Sequence, residues 1–518
     1  MTSLIHKLGA ILLVLATAGS GVQAFLGPVV APARSHSYAT IAAASTSSVM
    51  EPQDRAALVP QLLEWCNKNG IKDANKLGVG PASQPGWGMG LVATAPIKRG
   101  EQIATVPLTL CLSTDSVRLS PVGKAVGGFE PTLGDASLIA LQLLYEASLG
   151  PKSKFAVWLE SLPRAGQDGF DHTLFWSPAE QAVLAKSSTR NLQETLIDAV
   201  AADFAWIQTN VLARGAVAGL GADAFDLATY QWAVAVVLSR SFFADNGLRL
   251  APLLDMANRG EGCQNEPEVG GLGIFGGKGL KVVADRDTKK GQEIVISYGP
   301  KSGIEFLEDH GFVPPPVAGN VLVGGLCALT FELNKEGDRF FDDKEDVMSE
   351  LKLPMAFSFD VRSDGDVDPE MLQFLRFSNL GGRDAFLLEA VFRNEVWSFM
   401  ELPVSEENEQ KVDEMIIEAC TKALADFEEG EKLSEGVLKR PGVSPLTVAR
   451  MESLTRVRES EKGALEATQA WANRDLMTGD LKVYYQERRL EELQLSGPLT
   501  DNELTNGAGG RRTTNLDW

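Results

Sequence analysis

The chain is short of positive charge. Its 48 Lys and Arg stand against 69 Asp and Glu, a formal net charge of −21. Sequence-independent binding to nucleic acid or to an anionic membrane needs clustered cations, so the balance argues against both. Cysteine is scarce too. The five present (Cys66, Cys111, Cys263, Cys327 and Cys420) are odd in number and scattered, with no C-x-x-C pair and no Cys/His set at zinc spacing. That argues against a disulfide scaffold, predicts no bound metal and points to a reducing compartment. Internal repeats are absent, as is the phosphate-binding pattern G-x-x-x-x-G-K-[ST]. What remains is a globular composition, 44% hydrophobic and 23% charged, with length for two or three domains.

The first fifty residues have a texture of their own. Lys7 precedes "LGAILLVLATAG", too short to span a bilayer comfortably but the length of a signal-peptide apolar core. Val22 and Ala24 then supply small residues at a cleavage point, which predicts a signal peptide over 1–24. Residues 25–50 are rich in Ala, Ser, Thr and Pro, carry Arg34 and contain no acid, which is transit-peptide composition. Together the two segments resemble the bipartite presequence of algae with secondary plastids, "AFLGP" standing at the junction. The resemblance implies the plastid stroma, and secretion is the alternative.

Beyond Met50, "AALVPQLLEWCNKNG" reads as an amphipathic helix closed by Gly70. Short β-type runs follow between Gly78 and Ser113, broken by Gly and Pro. Helical patterns dominate from Asp135 to about Phe243. Among them "DLATYQWAVAVVLSRSFF", capped by Asp226, is apolar nearly all round and predicts a buried helix. Strands return at "LKVVADRDTKKGQEIVISYG", and a helix at "SGIEFLEDHGF". A second, mostly helical stretch starts near Leu329. In it Ser405 caps a helix whose face is traced by Val412, Ile416, Ala419, Ala423 and Phe427 up to Gly430.

Three stretches carry the chemistry. "GWGMGLVA" (Gly86 to Ala93) sets alternate glycines at the entry to a strand, where a ligand can approach the main chain; its spacing does not fit the dinucleotide fingerprint. "LAPLLDMANRGEGC" (Leu250 to Cys263) drives Asp255, Asn258 and Arg259 in behind an apolar approach, which suggests a turn lining a site. "VISYGPKSGIEFLEDHGFV" ends a β-run at Tyr298 and starts a helix at once.

In this order and separation the three resemble the SET-domain protein-lysine methyltransferases, and within them the subgroup typified by the Rubisco large-subunit methyltransferase. That subgroup carries patterns like G-x-G-L-V-A, S-R-x-F, D-x-x-N-H and Y-x-x-K-S-N-A-E-x-L-x-x-Y-G-F. Here they read "GMGLVA", "SRSF", "DMANR" and "YGPKSGIEFLEDHGF". "FMELPVSEENEQKVDEMIIEAC" is similar to the helical substrate-binding domain that follows, so the resemblance covers roughly 56–490. It implies an α+β fold: a β-rich SET domain over 56–320 with a helical insert at about 125–243, then an all-α substrate-binding domain over 330–490. A disordered tail over 491–518 is expected from composition.

The resemblance also implies a reaction: methyl transfer from S-adenosyl-L-methionine to a lysine ε-amine of a protein, here a stromal enzyme such as Rubisco large subunit or fructose-bisphosphate aldolase. No nucleic acid or stable membrane association is implied. By the same resemblance Tyr298 is catalytic. Gly88, Met89 and Gly90 offer backbone to the cofactor, and Asn258 holds its amino-acid end with Arg259 beside it. Arg240, Asp255 and His310 shape the lysine pocket. Some residues depart from the subgroup's pattern. Arg259 stands where the subgroup has His, His310 where it has Tyr, Gly303 where it has Asn, and Trp87 where an acid is frequent. Arg is longer, always charged and donor-only, unlike His. Two alternatives therefore stay open: a decayed SET scaffold that only binds a protein, and a protein-histidine methyltransferase.

Overall fold

The computed structural model describes residues 52–84, 87–127, 133–166, 169–190, 192–271, 277–299, 301–314, 326–393 and 395–473. The expected presequence and C-terminal tail lie outside them. The chain divides into two compact units. The first is made of Met1–Ala185, Asn191–Pro315 and Ser434–Leu454, the second of Lys186–Arg190, Pro316–Leu433 and Thr455–Trp518.

In the first unit, helix α1 (Pro52–Lys68) ends before Gly70, which takes φ +82° as the chain turns toward β1 (Leu77–Pro81). Next come β2 (Met89–Ala93), β3 (Gln102–Pro107) and β4 (Leu112–Ser113). A helical stretch follows, with α2 (Asp135–Ser148), α3 (Gln193–Ile207) and α4 (Leu227–Arg240) as its long members. The chain then returns to strands: β5 (Ser241–Ala244), β6 (Gly247–Leu250), β7 (Asn258–Arg259), β8 (Glu268–Gly271), β9 (Lys278–Val283) and β10 (Glu293–Ile296). Helix α5 (Gly303–His310) closes the series.

Three small sheets result, in orders β1-β2-β10-β7, β3-β9-β8 and β4-β6-β5. Every pairing in them is antiparallel except one: β10 runs parallel to β7, with Val295 beside Asn258 and Ile296 beside Arg259. That exception brings two distant stretches of sequence to a single point.

Helix α4 is buried as its composition predicts: Tyr230 and Ala233 through Leu238 all lie in the core. Asp226 caps it, its carboxylate accepting from the Thr229 amide at 2.8 Å. The helix stops at Arg240, however, and the "SFF" of the apolar run is strand β5. Asp245 and Asn246 have positive φ (52° and 59°) and join β5 to β6 in a two-residue hairpin, the geometry that suits the right-handed strand twist. Each large side chain buried here, Trp158, Phe155 and Tyr230 among them, contributes roughly 1.5–3 kcal/mol.

The second unit pairs β11 (Leu326–Glu332) with β12 (Ala356–Arg362) in full antiparallel register. Helices α6 (Phe341–Glu350) and α7 (Pro369–Ser378) belong to it, with α8 (Glu406–Leu438) as far as Leu433 and α9 (Pro445–Ala472) from Thr455. The strand pair adds a β element to a region whose sequence reads as helical. Its aromatic, alternating "AFSFDVR" supports it, with Phe357 packed at a tilt against Phe374, 4.8 Å between ring centres. In α8, Ser405 Oγ accepts from the Asn408 amide at 3.1 Å, as a cap should. The helix runs through Gly430 instead of ending there. A side chain at 430 would run into the Lys186 carbonyl, so this glycine serves close packing and does not stop the helix. All five cysteines are free thiols, and among the described residues no helix is long and apolar enough to cross a membrane.

Candidate active site

The parallel β7–β10 contact organises the site. Strand β10 carries the chain to Tyr298, whose hydroxyl donates to the Ala257 carbonyl at 2.9 Å, directly ahead of Asn258. Burial pushes the phenol up to about 12; Arg240 and Arg259 pull it back, while Glu293 and Asp255 add to the rise. At neutral pH the hydroxyl is therefore protonated and can donate.

The approach to β7 is strained. Leu253 holds φ +74° and ψ −50°, a conformation that costs a non-glycine residue roughly 1–3 kcal/mol and that clusters at functional sites. It feeds a single 3₁₀ turn, Leu254–Met256, which seats Asp255 at 5% exposure. Asp255 accepts from Trp158 Nε1 at 3.2 Å. Arg240, the last residue of α4, donates from Nη1 to the Asp255 carbonyl oxygen at 2.7 Å. The same nitrogen lies 3.8 Å from the carboxylate. Burial outweighs that long ion pair and pushes the carboxyl up to about 6.

Asn258 lies against β2. Its Nδ2 donates to Glu293 Oε1 at 2.7 Å and, more weakly, to the Met89 carbonyl at 3.4 Å. A Cβ on Gly90 would come 2.7 Å from that nitrogen and closer still to Glu293 Oε1, so a side chain at position 90 would have to push both groups aside. Gly88 takes φ +71° as the chain enters β2. Between Met89, Met256, Trp87 and Arg240 lies a cavity of about 30 Å³, the calibre of one or two waters.

Arg259 is half-buried, with its guanidinium 4.9 Å above the Phe306 ring of α5. Burial pulls its pKa down, while Glu261, Cys263 and Tyr298 oppose that fall. Helix α5 is fixed at its start by a reciprocal cap, Ser302 Oγ accepting from the Glu305 amide and Glu305 accepting from the Ser302 amide at 2.8 Å. The buried Lys301–Asp309 pair braces it along its length. At its far end His310 packs on Tyr298, ring centres 4.5 Å apart, and its Nδ1–H donates to the Ser239 carbonyl at 3.0 Å.

The structure thus brings the residues singled out from sequence into one cluster: Gly88 at the entry to β2 with Met89 and Gly90 on it, Asn258 and Arg259 on β7, Arg240 and Asp255 behind them, Tyr298 just beyond β10 and His310 at the end of α5. Glu293 and Trp158 belong to it as well. A lone acid at a strand start and a tryptophan in a helical stretch give no sequence signal for such a place.

The likeness to solved SET-domain structures makes this β-rich core with its helical insert a fold of the SET class of methyltransferases. Residues 335–465 match the family described as Rubisco LSMT substrate-binding. The chain is similar to the chloroplastic [fructose-bisphosphate aldolase]-lysine N-methyltransferase of Arabidopsis thaliana, 31% identical over 85% of this chain and 88% of that protein. It is 29% identical to the chloroplastic Rubisco large-subunit N-methyltransferase of Pisum sativum, over 91% of this chain and 92% of that one. Among solved structures, the SET domain of LSMT bound to lysine and AdoHcy superposes with a TM-score of 0.72 at 27% identity, covering 88% of this chain and 99% of that one. The chain belongs to the SET-domain protein-lysine N-methyltransferases of the Rubisco large-subunit methyltransferase type, enzymes whose cofactor is S-adenosyl-L-methionine.

Proposed function

We propose that the chain methylates a lysine of a plastid stromal protein, with Tyr298 as the catalytic tyrosine. The observation that carries this is the β7–β10 crossing, which sets Asn258 against Gly90 and the Tyr298 hydroxyl against the carbonyl just before Asn258. Gly88, Met89 and Gly90 fit the cofactor through bare backbone, and Asn258 fits its amino-acid end through a side-chain amide. When bound, the cofactor supplies a sulfonium-activated methyl group.

The acceptor amine has to be neutral to attack, against an ordinary lysine pKa of about 10.4. A buried, cation-facing pocket lowers that value, so the ammonium can give its proton to water before the nitrogen–carbon bond forms at the expense of the sulfur–carbon bond. Tyr298, held protonated by burial, orients the reacting groups with its hydroxyl. The tilted packing of His310 against Tyr298 narrows the space for the lysine stem, and the Arg240–Asp255 pair holds the turn that leads into Asn258. Rate comes mainly from alignment in a dry channel.

Placement of Arg259 over Phe306 supports an active site over a decayed scaffold, because the ring gives the charge a partner within the protein. The chloroplastic designations of the Arabidopsis and pea relatives support the plastid setting, and aldolase and Rubisco, on which those relatives act, are the first substrates to try.

The test is incubation of the protein from Glu51 onward with methyl-labelled S-adenosylmethionine and soluble plastid extract, beside Tyr298→Phe. A labelled band lost in the variant, with the label on lysine by mass spectrometry, is the expected result. A label on histidine would replace the acceptor. No label and no cofactor binding would return the chain to a binding scaffold.

A further inference from the structure

Glu293 opens β10 and has no part in the reading above. Its carboxylate is nevertheless the hub of the β2–β7 corner. Oε2 accepts from the Ser83 amide at 2.7 Å and from the Ser83 hydroxyl, and Oε1 accepts from Asn258 Nδ2 at 2.7 Å. The same oxygen lies against Gly90, close enough that a Cβ there would have to displace it.

The donor arithmetic at Asn258 gives this carboxylate a function. The partners of Nδ2, a backbone carbonyl and a carboxylate, can only accept, so the nitrogen end of the amide must face Met89 and Glu293. With both amide hydrogens spoken for, Oδ1 faces the opposite way as an acceptor. An acceptor there suits an ammonium group and mismatches a carboxylate. The charge is also where the chemistry wants it: the segment before Gly88 carries Trp87 and no acid, and Glu293 places a carboxylate directly on Asn258.

We propose that Glu293 is a positioning residue that locks the Asn258 amide and supplies the anion, so that this corner takes the ammonium of the cofactor's amino-acid end. The inference rests on the S-adenosylmethionine reading. Its alternative is a staple that merely ties the Ser83 segment to β10.

The experiment is calorimetric binding of three ligands to the whole chain: S-adenosylmethionine, S-adenosylhomocysteine and 5′-methylthioadenosine, which lacks the amino-acid end. In Glu293→Gln the new amide can accept from Ser83 only by presenting NH₂ to Asn258. Asn258 then flips and shows its own NH₂ to the ligand. The first two ligands should weaken about 10- to 100-fold, the range of a charge-assisted hydrogen bond, with methylthioadenosine within twofold. KM for S-adenosylmethionine should rise with kcat held within about twofold. Ser83→Ala, which cuts one staple and leaves the Asn258 contact, should bind all three as the parent does.

Equal weakening of all three ligands, a Ser83→Ala variant that copies Glu293→Gln, or a fall in kcat at unchanged KM would overturn the proposal in favour of the staple. Unchanged affinity in Glu293→Gln would sink it alone. Failure of the parent chain to bind any of the three would remove the S-adenosylmethionine reading with it.

Discussion

Each unit buries an arginine against a carboxylate, and the two pairs are built differently. In the second unit Arg376 uses its whole fork. Nε and Nη2 reach the two oxygens of Glu409 at 2.7 and 3.2 Å, while Nη1 donates to the carbonyls of Met400 and Glu401 at 3.1 and 2.9 Å. In the first unit Arg240 reaches the carboxylate of Asp255 only at 3.8 Å and makes its good hydrogen bond to a carbonyl instead. Glu409 has a matched cation, whereas Asp255 is left with a carboxyl pushed up to about 6. Glu461 of the second unit goes at least as far as Asp255. Bonded to Ser188 and Thr189 alone, it is pushed up to about 7 by burial. Hydrogen bonds without a close cation do not repay desolvation: with its arginine standing off at 3.8 Å, the Asp255 carboxyl is raised by burial.

The sharpest way to break the comparison is Arg376→Met. It leaves Glu409 buried with no cation, and urea titration should show the second unit losing about 3–5 kcal/mol. A loss under 1 kcal/mol would mean that the closed pair is not structural. Tyr298→Phe should leave that titration alone and lower kcat about 100- to 1,000-fold, the cost of one well-placed donor.

Asp255→Asn tests the loose pair through pH. Because the folded carboxyl lies above its unfolded value of about 3.9, the folded state binds the extra proton. This group's contribution to stability therefore falls as pH climbs from about 4 to about 6, and the full penalty stands above that. The asparagine variant should flatten that window and melt higher at pH 7, by an amount worth on the order of 1–3 kcal/mol, while losing activity. A parallel shift of both pH–stability curves would refute the raised carboxyl. Gly90→Ala should reduce cofactor affinity at least about 10-fold, since its Cβ displaces Asn258 and Glu293; unchanged binding would show that corner to be free to yield. At the small end, Lys439→Ala removes an exposed i,i+4 pair with Glu435 and should leave the melting curve unmoved.

Much of the architecture was legible because it rests on local periodicity. The buried α4, the Asp226 and Ser405 caps and the β–α–β order follow from side-chain pattern and short-range hydrogen bonds. Beyond the β11–β12 pair in the domain expected to be all-α, tertiary packing overrode that pattern at two further places. "SFF" left the helix for a hairpin set by Asp245 and Asn246, and α8 ran through Gly430 because a carbonyl needs the room. Of the cluster itself, the glycines, Asn258 and Tyr298 were readable as motifs. Glu293 was not, since one acid at the start of a strand looks the same whether it faces water or an amide 35 residues away.

The sequence by itself determined which residues are polar within apolar surroundings, where chain direction changes and which family pattern they spell. Only the tertiary structure decided what they touch. Strand β7 lies parallel to β10, so Asn258 and Tyr298 meet through a backbone pairing that no local rule encodes. The protonation of Tyr298 and Asp255 then follows from how deeply that meeting point is withdrawn from water.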